Sequence, residues 1–529
     1  MRGGCAAKRT REEAVQRKNP RHREDVMTRK TLALLLAALL AVGSLAACGD
    51  KETKPETTPS GAENGETMTD TETETEKDPF EGTDFGGKSL RINSSNDSYD
   101  STNAHRLIAG SGEMNGEIVN DAVYKRNEDV QEFLNVKLEI TPSEWTYSNA
   151  NTQIEKIVLA GDSQFDVVIN DMFCLAKLAP KGYFHSVKDT GILDFEKSYW
   201  YGDAIRDLEF VPGAMYMLVG DYFTDSLASA HVLYYNKSLI GDHMGDPAYV
   251  QNIVLDGKWT VDEMISLTEE MTVDTNGDGT QEEGDQYGYT VIGAWGPMIP
   301  VLMGFDVQFI DKSDGSVTYC FNNERSVKIL EKLNELYWGD GTLPKTKKGD
   351  AEDLRQKFAN AETVFVGYLR LCDLEVMRDI DFGVGLAPYP KLDMDQSDYV
   401  SSMHDTSEIG AILTTTPVDQ LPFVFTCLEV FGRETAKTVI PAYYEDALKV
   451  KYVGGAEDAA MIDLIHDSIT SPFAVAYNGV LGDFLLAKCF LTPLGAKQTD
   501  FASAYAKNEA AGQKTLDKVL TEFEESLAK

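Results

Sequence analysis

From Phe85 to Lys529 short apolar runs alternate with stretches of helical periodicity, a pattern that limits the chain to layered sheets with helices on both faces. Ser89-Leu90-Arg91-Ile92 and Phe165-Asp166-Val167-Val168-Ile169 read as strands. Ile118 to Leu134 and Val327 to Tyr337, where apolar residues recur at three and four, read as helices. From Pro417 onward the pattern is mostly helical, and there is no internal repeat. A stretch this long exceeds one small core and predicts two or three α/β domains.

Upstream of it, the apolar run Thr31 to Ala47 follows the basic Arg29-Lys30 and ends at Leu45-Ala46-Ala47-Cys48, which reads as a lipobox with Cys48 as the lipidated residue. The run is shorter than the roughly 20 apolar residues of a spanning helix, and Gly43 and Ser44 interrupt it. Residues 1–47 are therefore expected to be a leader, with the signal peptide starting at Met27. Residues 48–85, rich in Thr, Glu and Asp, cannot bury a core and predict a disordered acidic linker. As a random coil it would hold the domain about 30 Å from a membrane. The expected location is the extracellular face of the cytoplasmic membrane.

Charge and cysteines exclude whole classes of partner. The chain carries a formal charge of −37. Residues 1–47 contain ten Lys/Arg and four Asp/Glu, so the remainder stands at −43, which repels nucleic acid and anionic headgroups. Beyond the leader and Cys48, Cys174, Cys320, Cys372, Cys427 and Cys489 are widely spaced and mostly in apolar surroundings, and read as buried thiols.

The chain has no G-x-S-x-G, H-E-x-x-H, G-x-x-x-x-G-K-[ST] or strand-to-helix G-x-G-x-x-G, and its histidines are scattered. No catalytic residues are expected. One local motif is strong: Asp274-Thr275-Asn276-Gly277-Asp278-Gly279-Thr280, continuing to Asp285. Asp274, Asn276, Asp278, Glu282 and Asp285 fall at loop positions 1, 3, 5, 9 and 12, with the Thr280 carbonyl at 7 and Gly279 at the sharp turn. This is an EF-hand-like loop, expected to hold a structural calcium ion; a plain Asx-turn connection is the alternative. Trp145, Trp200, Tyr222, Trp295, Tyr368 and Tyr389 stand near polar or glycine-rich turns. An aromatic face with nearby Asp, Asn or Arg suits a sugar, although any single such ring more often serves in packing. Trp259 reads as structural, a staple before a helix capped by Thr260.

The lipobox and linker combine with several longer segments. These are Phe165 to Ile169, Leu178-Ala179-Pro180-Lys181-Gly182-Tyr183, His231-Val232-Leu233-Tyr234-Tyr235-Asn236-Lys237-Ser238-Leu239-Ile240, Gly257-Lys258-Trp259-Thr260, Phe382 to Lys391, and Pro441-Ala442-Tyr443-Tyr444. As a set they resemble bacterial extracellular solute-binding proteins of carbohydrate-type ABC importers, the group that includes maltose-binding protein. The resemblance implies a type II periplasmic-binding-protein-like fold of two α/β lobes joined by crossing strands. It places residues 86–227 and 361–395 in the first lobe, and 228–360 and 396–529, with the loop 274–285, in the second. Crossings are implied near 226–231 and 395–407. Ligand contacts are implied for Asn96, Asp97, Asn170, Asp171, Asp221, Tyr222, Asp225, Trp295 and Tyr368. The implied function is capture of a carbohydrate, an oligosaccharide, by a monomer that delivers it to permease subunits. The long helical C-terminal part departs from maltose-binding protein. Two other readings stand beside this one: a peptide or polyamine binder using Asp97, Asp171, Asp221 and Asp225, and a surface-tethered glycan-degrading enzyme.

Overall fold

The computed structural model describes residues 78–96, 104–145, 148–222, 225–293, 296–313, 315–377, 379–444, 456–470 and 472–528. The leader, Cys48, most of the linker, Asp97 and Trp295 lie outside the described residues.

In chain order the strands are β1 (Lys88–Ser94), β2 (Val136–Pro142), β3 (Val167–Asp171), β4 (Met217–Leu218), β5 (Leu233–Asn236) and β6 (Tyr287–Thr290). They continue as β7 (Ile310–Asp311), β8 (Thr318–Tyr319), β9 (Thr342–Leu343), β10 (Thr363–Val366), β11 (Val384–Ala387) and β12 (Glu408–Ile412). One five-stranded sheet has the order β2-β1-β3-β12-β4 and a second the order β11-β5-β10-β6-β9. β7 and β8 form a separate hairpin. Each large sheet is the centre of one lobe. Every residue of β3, β5, β6, β10 and β12 is buried, as expected of strands covered on both faces.

Local chemistry explains where the helices start. Glu117 accepts from the backbone N–H groups of Val119 and Asn120 to open Ile118–Leu134, and Asn135 closes it in the left-handed conformation at φ 49°. Val119, Val123, Arg126, Val130 and Leu134 form its buried stripe. Arg126 is wholly buried with neutral partners: Nη1 donates to Thr435 Oγ1 at 2.7 Å and Nη2 to the Ile108 carbonyl at 2.7 Å. Its guanidinium also lies 4.0 Å from the Phe431 ring centroid, and burial pushes its pKa down to about 9. It thereby ties this helix to Leu421–Pro441.

The lobes are divided differently from the expectation. β10 and β11 both pair antiparallel with β5, so residues 361–395 belong to the second lobe. β12 pairs antiparallel with β3 and β4, which puts it in the first. The reason is strand pairing at long range: β12 supplies the partner that buries the second edge of β3, matching Ile412 with Val167 and Gly410 with Ile169. Nor does all of 396–529 lie in the second lobe. Ala456–Asp467 packs against β11, whereas Phe473–Tyr477 packs against helices of the first lobe. The C-terminal helix Phe501–Leu527 touches both. Phe523 stacks on Phe210 at 4.9 Å in the first, and Tyr505 meets Phe321 at 5.2 Å in the second.

Candidate functional site

Three connecting segments run side by side between the sheets. The His231 N–H donates to the Ser402 carbonyl at 2.9 Å and the His404 N–H to the Ser229 carbonyl at 3.0 Å, so 229–231 and 402–404 are antiparallel. On the far side of the second segment, Ser401 N–H donates to Ser468 O at 2.9 Å. On the near side, Leu371 N–H donates to Ala230 O at 2.9 Å, which brings the loop after β10 against the connectors.

That loop carries Tyr368, half-buried and held at a φ of 79°. Its N–H donates to the Tyr389 hydroxyl at 2.8 Å, and its own hydroxyl lies 3.1 Å from His404 Nε2. Its ring centroid is 6.3 Å from that of His231, which is buried and bonded through Nδ1 to Ser402 Oγ at 3.1 Å. Burial, reinforced by the neighbouring His404 and Arg370, holds His231 well below its ordinary pKa, so the imidazole is neutral.

The first lobe presents polar groups at its strand ends. Asp225 opens a short helix, Asp225–Ala228, that leads into the first connector. Its Oδ2 accepts from the Glu408 N–H at 2.7 Å. Burial pushes its carboxyl up to about 7, against the pull of the Glu408 N–H and of Arg370. Asp225 Oδ1, Ser226 Oγ, His231 Nε2, Asn170 Oδ1 and the Tyr443 hydroxyl are all buried with no hydrogen-bond partner among the described residues. Such groups are costly to leave unmet; others of the same kind, including the Tyr235 and Tyr289 hydroxyls, lie within the second lobe.

Asn170 and Asp171 end β3 and are buried, and Asn96 is exposed after β1. Asp221 is buried, accepts from the Tyr201 hydroxyl at 3.1 Å, and is pushed up to about 6 by burial. Tyr222 sits in the first lobe's core: its ring has no exposure, packs at 5.5 Å from Trp200, and its hydroxyl donates to the Leu218 carbonyl at 3.2 Å. Sequence reasoning did not single out His231, His404, Ser226, Glu408 or Tyr443 as site residues. His231 and Tyr443 lay inside segments that carried the resemblance; nothing local distinguishes Glu408.

In the loop 274–285, Asp274 Oδ1 accepts from Gly277 N–H and Oδ2 from Gly279 N–H, both at 2.7 Å. Asn276 Oδ1 accepts from Asp278 N–H and Asp278 Oδ1 from Thr280 N–H, each at 2.8 Å. Asp285 accepts from Thr275 N–H at 3.0 Å and Glu282 N–H at 2.9 Å. Among the described residues no three His, Cys, Asp or Glu side chains converge as a metal set.

Residues 119–366, somewhat under half of the chain, match the sequence family described as bacterial extracellular solute-binding protein. Over that segment the chain is similar to this family. No curated protein matches this chain in sequence. Solved structures share its fold. A cyclic α-maltosyl-1,6-maltose binding protein from Arthrobacter globiformis is 13% identical over 82% of this chain and 99% of its own, with a TM-score of 0.52. A cyclo/maltodextrin-binding protein complexed with maltotetraose is 12% identical over 83% and 97%, TM-score 0.51. UspC of M. tuberculosis is 13% identical over 81% and 100%, TM-score 0.51. The matched family and these neighbours are binding proteins rather than enzymes. No helix among the described residues is long and apolar enough to cross a membrane.

Proposed function

We propose that this protein captures a carbohydrate, an oligosaccharide, between its lobes and delivers it to the permease of an ABC importer. The observation that carries the reading is the Tyr368 ring 6.3 Å from His231, whose Nε2 is buried with no hydrogen-bond partner among the described residues. A sugar matches that pairing, with its C–H face on the ring and its hydroxyls on the waiting polar atoms. Asn170, Asp171, Asp221 and Asp225 line up on the first lobe for the same purpose, with Asn96, Asp97 and Trp295 as further contacts; the buried Tyr222 supports them from within the core. Two fold neighbours named for maltodextrin or maltosyl-maltose binding support the ligand class. Closure about the connectors would be driven by contacts made only when both lobes engage the ligand. Isothermal titration with malto-oligosaccharides, followed by mass spectrometry of the recovered sugar, tests this. Saturable binding with unchanged sugar is expected; released product would overturn the reading.

Cys48 is the proposed lipid anchor at the extracellular face of the cytoplasmic membrane, and Cys48→Ala should release the protein from the membrane fraction. The loop of Asp274, Asn276, Asp278, Thr280, Glu282 and Asp285 is proposed to hold calcium. Its support is a turn already wound on the Asp274 carboxylate, whose oxygens each keep a lone pair for a cation. Calcium should raise the melting temperature and a chelator lower it, and neither should act on Asp274→Ala.

A further inference from the structure

A cavity of about 500 Å3, a volume usual for small-molecule sites, lies between the lobes. The first lobe supplies Asp207 and Phe473 to its wall, and the second lobe Met303, Asp306, Phe309 and Arg325. Val400 and Thr470, at the ends of two connecting segments, also line it; Tyr368, His231, His404 and Asp225 do not. The wall is braced from both sides. Lys312, directly after β7, donates from Nζ to the Asp207 carbonyl and, at 3.1 Å, to the Glu209 carbonyl, and stands 4.7 Å from the Phe473 ring centroid. Phe473 stacks on Phe210 at 5.7 Å, and Phe309 packs on Phe321 at 5.3 Å. Arg325 Nη2 donates to the Phe305 carbonyl at 2.7 Å and to Gln396 Oε1 at 3.2 Å, which fixes the guanidinium; its Nη1 and Nε make no hydrogen bond among the described residues.

We propose that this cavity is a second carbohydrate site, sized for a mono- or disaccharide and filled independently of the Tyr368 group. The inference rests on the carbohydrate reading above and extends it from one sugar-binding place to two. An anion entering the cavity meets Asp207 and Asp306, and a cation meets Arg325. A wholly apolar molecule would strip water from all three and replace none of their hydrogen bonds. A sugar unit carries hydroxyls that both donate and accept, and an apolar C–H face for Phe309 and Phe473. Because both lobes form the wall, an occupant favours the lobe arrangement in which the wall is complete.

The cavity contains its own reporter. Cys320 lines it and is partly exposed, whereas Cys174, Cys372, Cys427 and Cys489 are buried. The test combines isothermal titration of the intact chain at pH 7.5 with iodoacetamide labelling, read at Cys320 by peptide mass spectrometry. Maltose and maltotriose are the probes, with leucine as a sugar-free zwitterion. Two sugars should bind per chain. At ten times the dissociation constant only about one cavity in eleven stays empty, so alkylation of Cys320 should slow about tenfold. Tyr368→Ala should weaken one binding event and keep that protection; Arg325→Met should remove the other event and the protection with it. If Arg325→Met does not fold, as judged by its melting curve, Asp306→Gly takes its place, since glycine suits the φ of 51° there. A single sugar per chain, an unchanged labelling rate, or protection that survives Arg325→Met overturns the second site while the carbohydrate reading stands. Protection by leucine and not by sugar overturns the ligand class of the cavity. Binding of no sugar at all overturns the carbohydrate reading and this inference with it.

Discussion

The Tyr368 hydroxyl lies 3.1 Å from His404 Nε2, which joins a ring carried by the second lobe to one of the segments connecting the lobes. The contact is made by a residue whose backbone sits at a φ of 79°, a conformation that costs a non-glycine residue about 1 kcal/mol or more. Strain at the ring proposed to meet the ligand fits a position kept for binding rather than for stability.

Tyr368→Ala should therefore weaken glycan binding about tenfold, the value of a stacked ring. Tyr368→Gly should weaken it equally but melt at a higher temperature than Tyr368→Ala, because glycine relieves the positive φ. Calorimetry on both variants checks this, and an alanine variant that melts above the glycine one would refute the strain argument.

Asp225 makes the ligand-free protein pH-sensitive. Its carboxyl is raised from an ordinary 3.8 to about 7, so between those values the folded state holds a proton that the unfolded chain releases. This residue's contribution to stability is thus fully present below about pH 4, falls as pH rises toward 7, and stays low above. Asn mimics the protonated carboxyl. The melting temperature of Asp225→Asn relative to the parent should accordingly rise from pH 5 to pH 8. The difference isolates Asp225 from His231, whose lowered pKa acts in the opposite direction.

Trp259 is a purely structural residue in the second lobe. It has no exposure, donates from Nε1 to the Pro388 carbonyl at 3.1 Å and stacks on Phe365 at 5.8 Å. Trp259→Ala should cost about 3–5 kcal/mol in urea denaturation, from the cavity and the lost burial.

Gly512 sets helix propensity against packing. In an exposed helix Gly→Ala would stabilise by about 1 kcal/mol. Here the added Cβ would lie 2.7 Å from the Phe484 ring, and the Gly512 carbonyl also accepts from Tyr319 at 3.3 Å. Steric cost should win, and Gly512→Ala should lower stability by roughly 1–3 kcal/mol.

Local backbone chemistry was legible in the chain itself. Thr260 Oγ1 accepts from Glu263 N–H at 3.4 Å as the cap expected ahead of that helix, and Trp259 beside it is buried. The alternation of strand and helix predicted layered α/β domains, two or three of them, and the segments carrying the resemblance implied two lobes and the binding class. These features depend on residues within about four positions of each other, or on motifs that are read in order.

Lobe membership was decided only by the tertiary structure. β12 is fully apolar in its interior, like β10 and β11, and nothing local tells it to pair with Val167–Asp171 rather than with Leu233–Asn236. The choice follows from which edge remains open once the earlier strands have paired. The same holds for individual side chains. Tyr222 and Tyr368 are both tyrosines beside glycine or acidic residues, yet one is sealed against Trp200 and Gly410 while the other faces the connectors. Glu408 reaches the end of β3 only because β12 folds back across some 240 positions to meet Asp171. Sequence determines the elements and their chemistry, and long-range pairing decides which of those groups share a cleft.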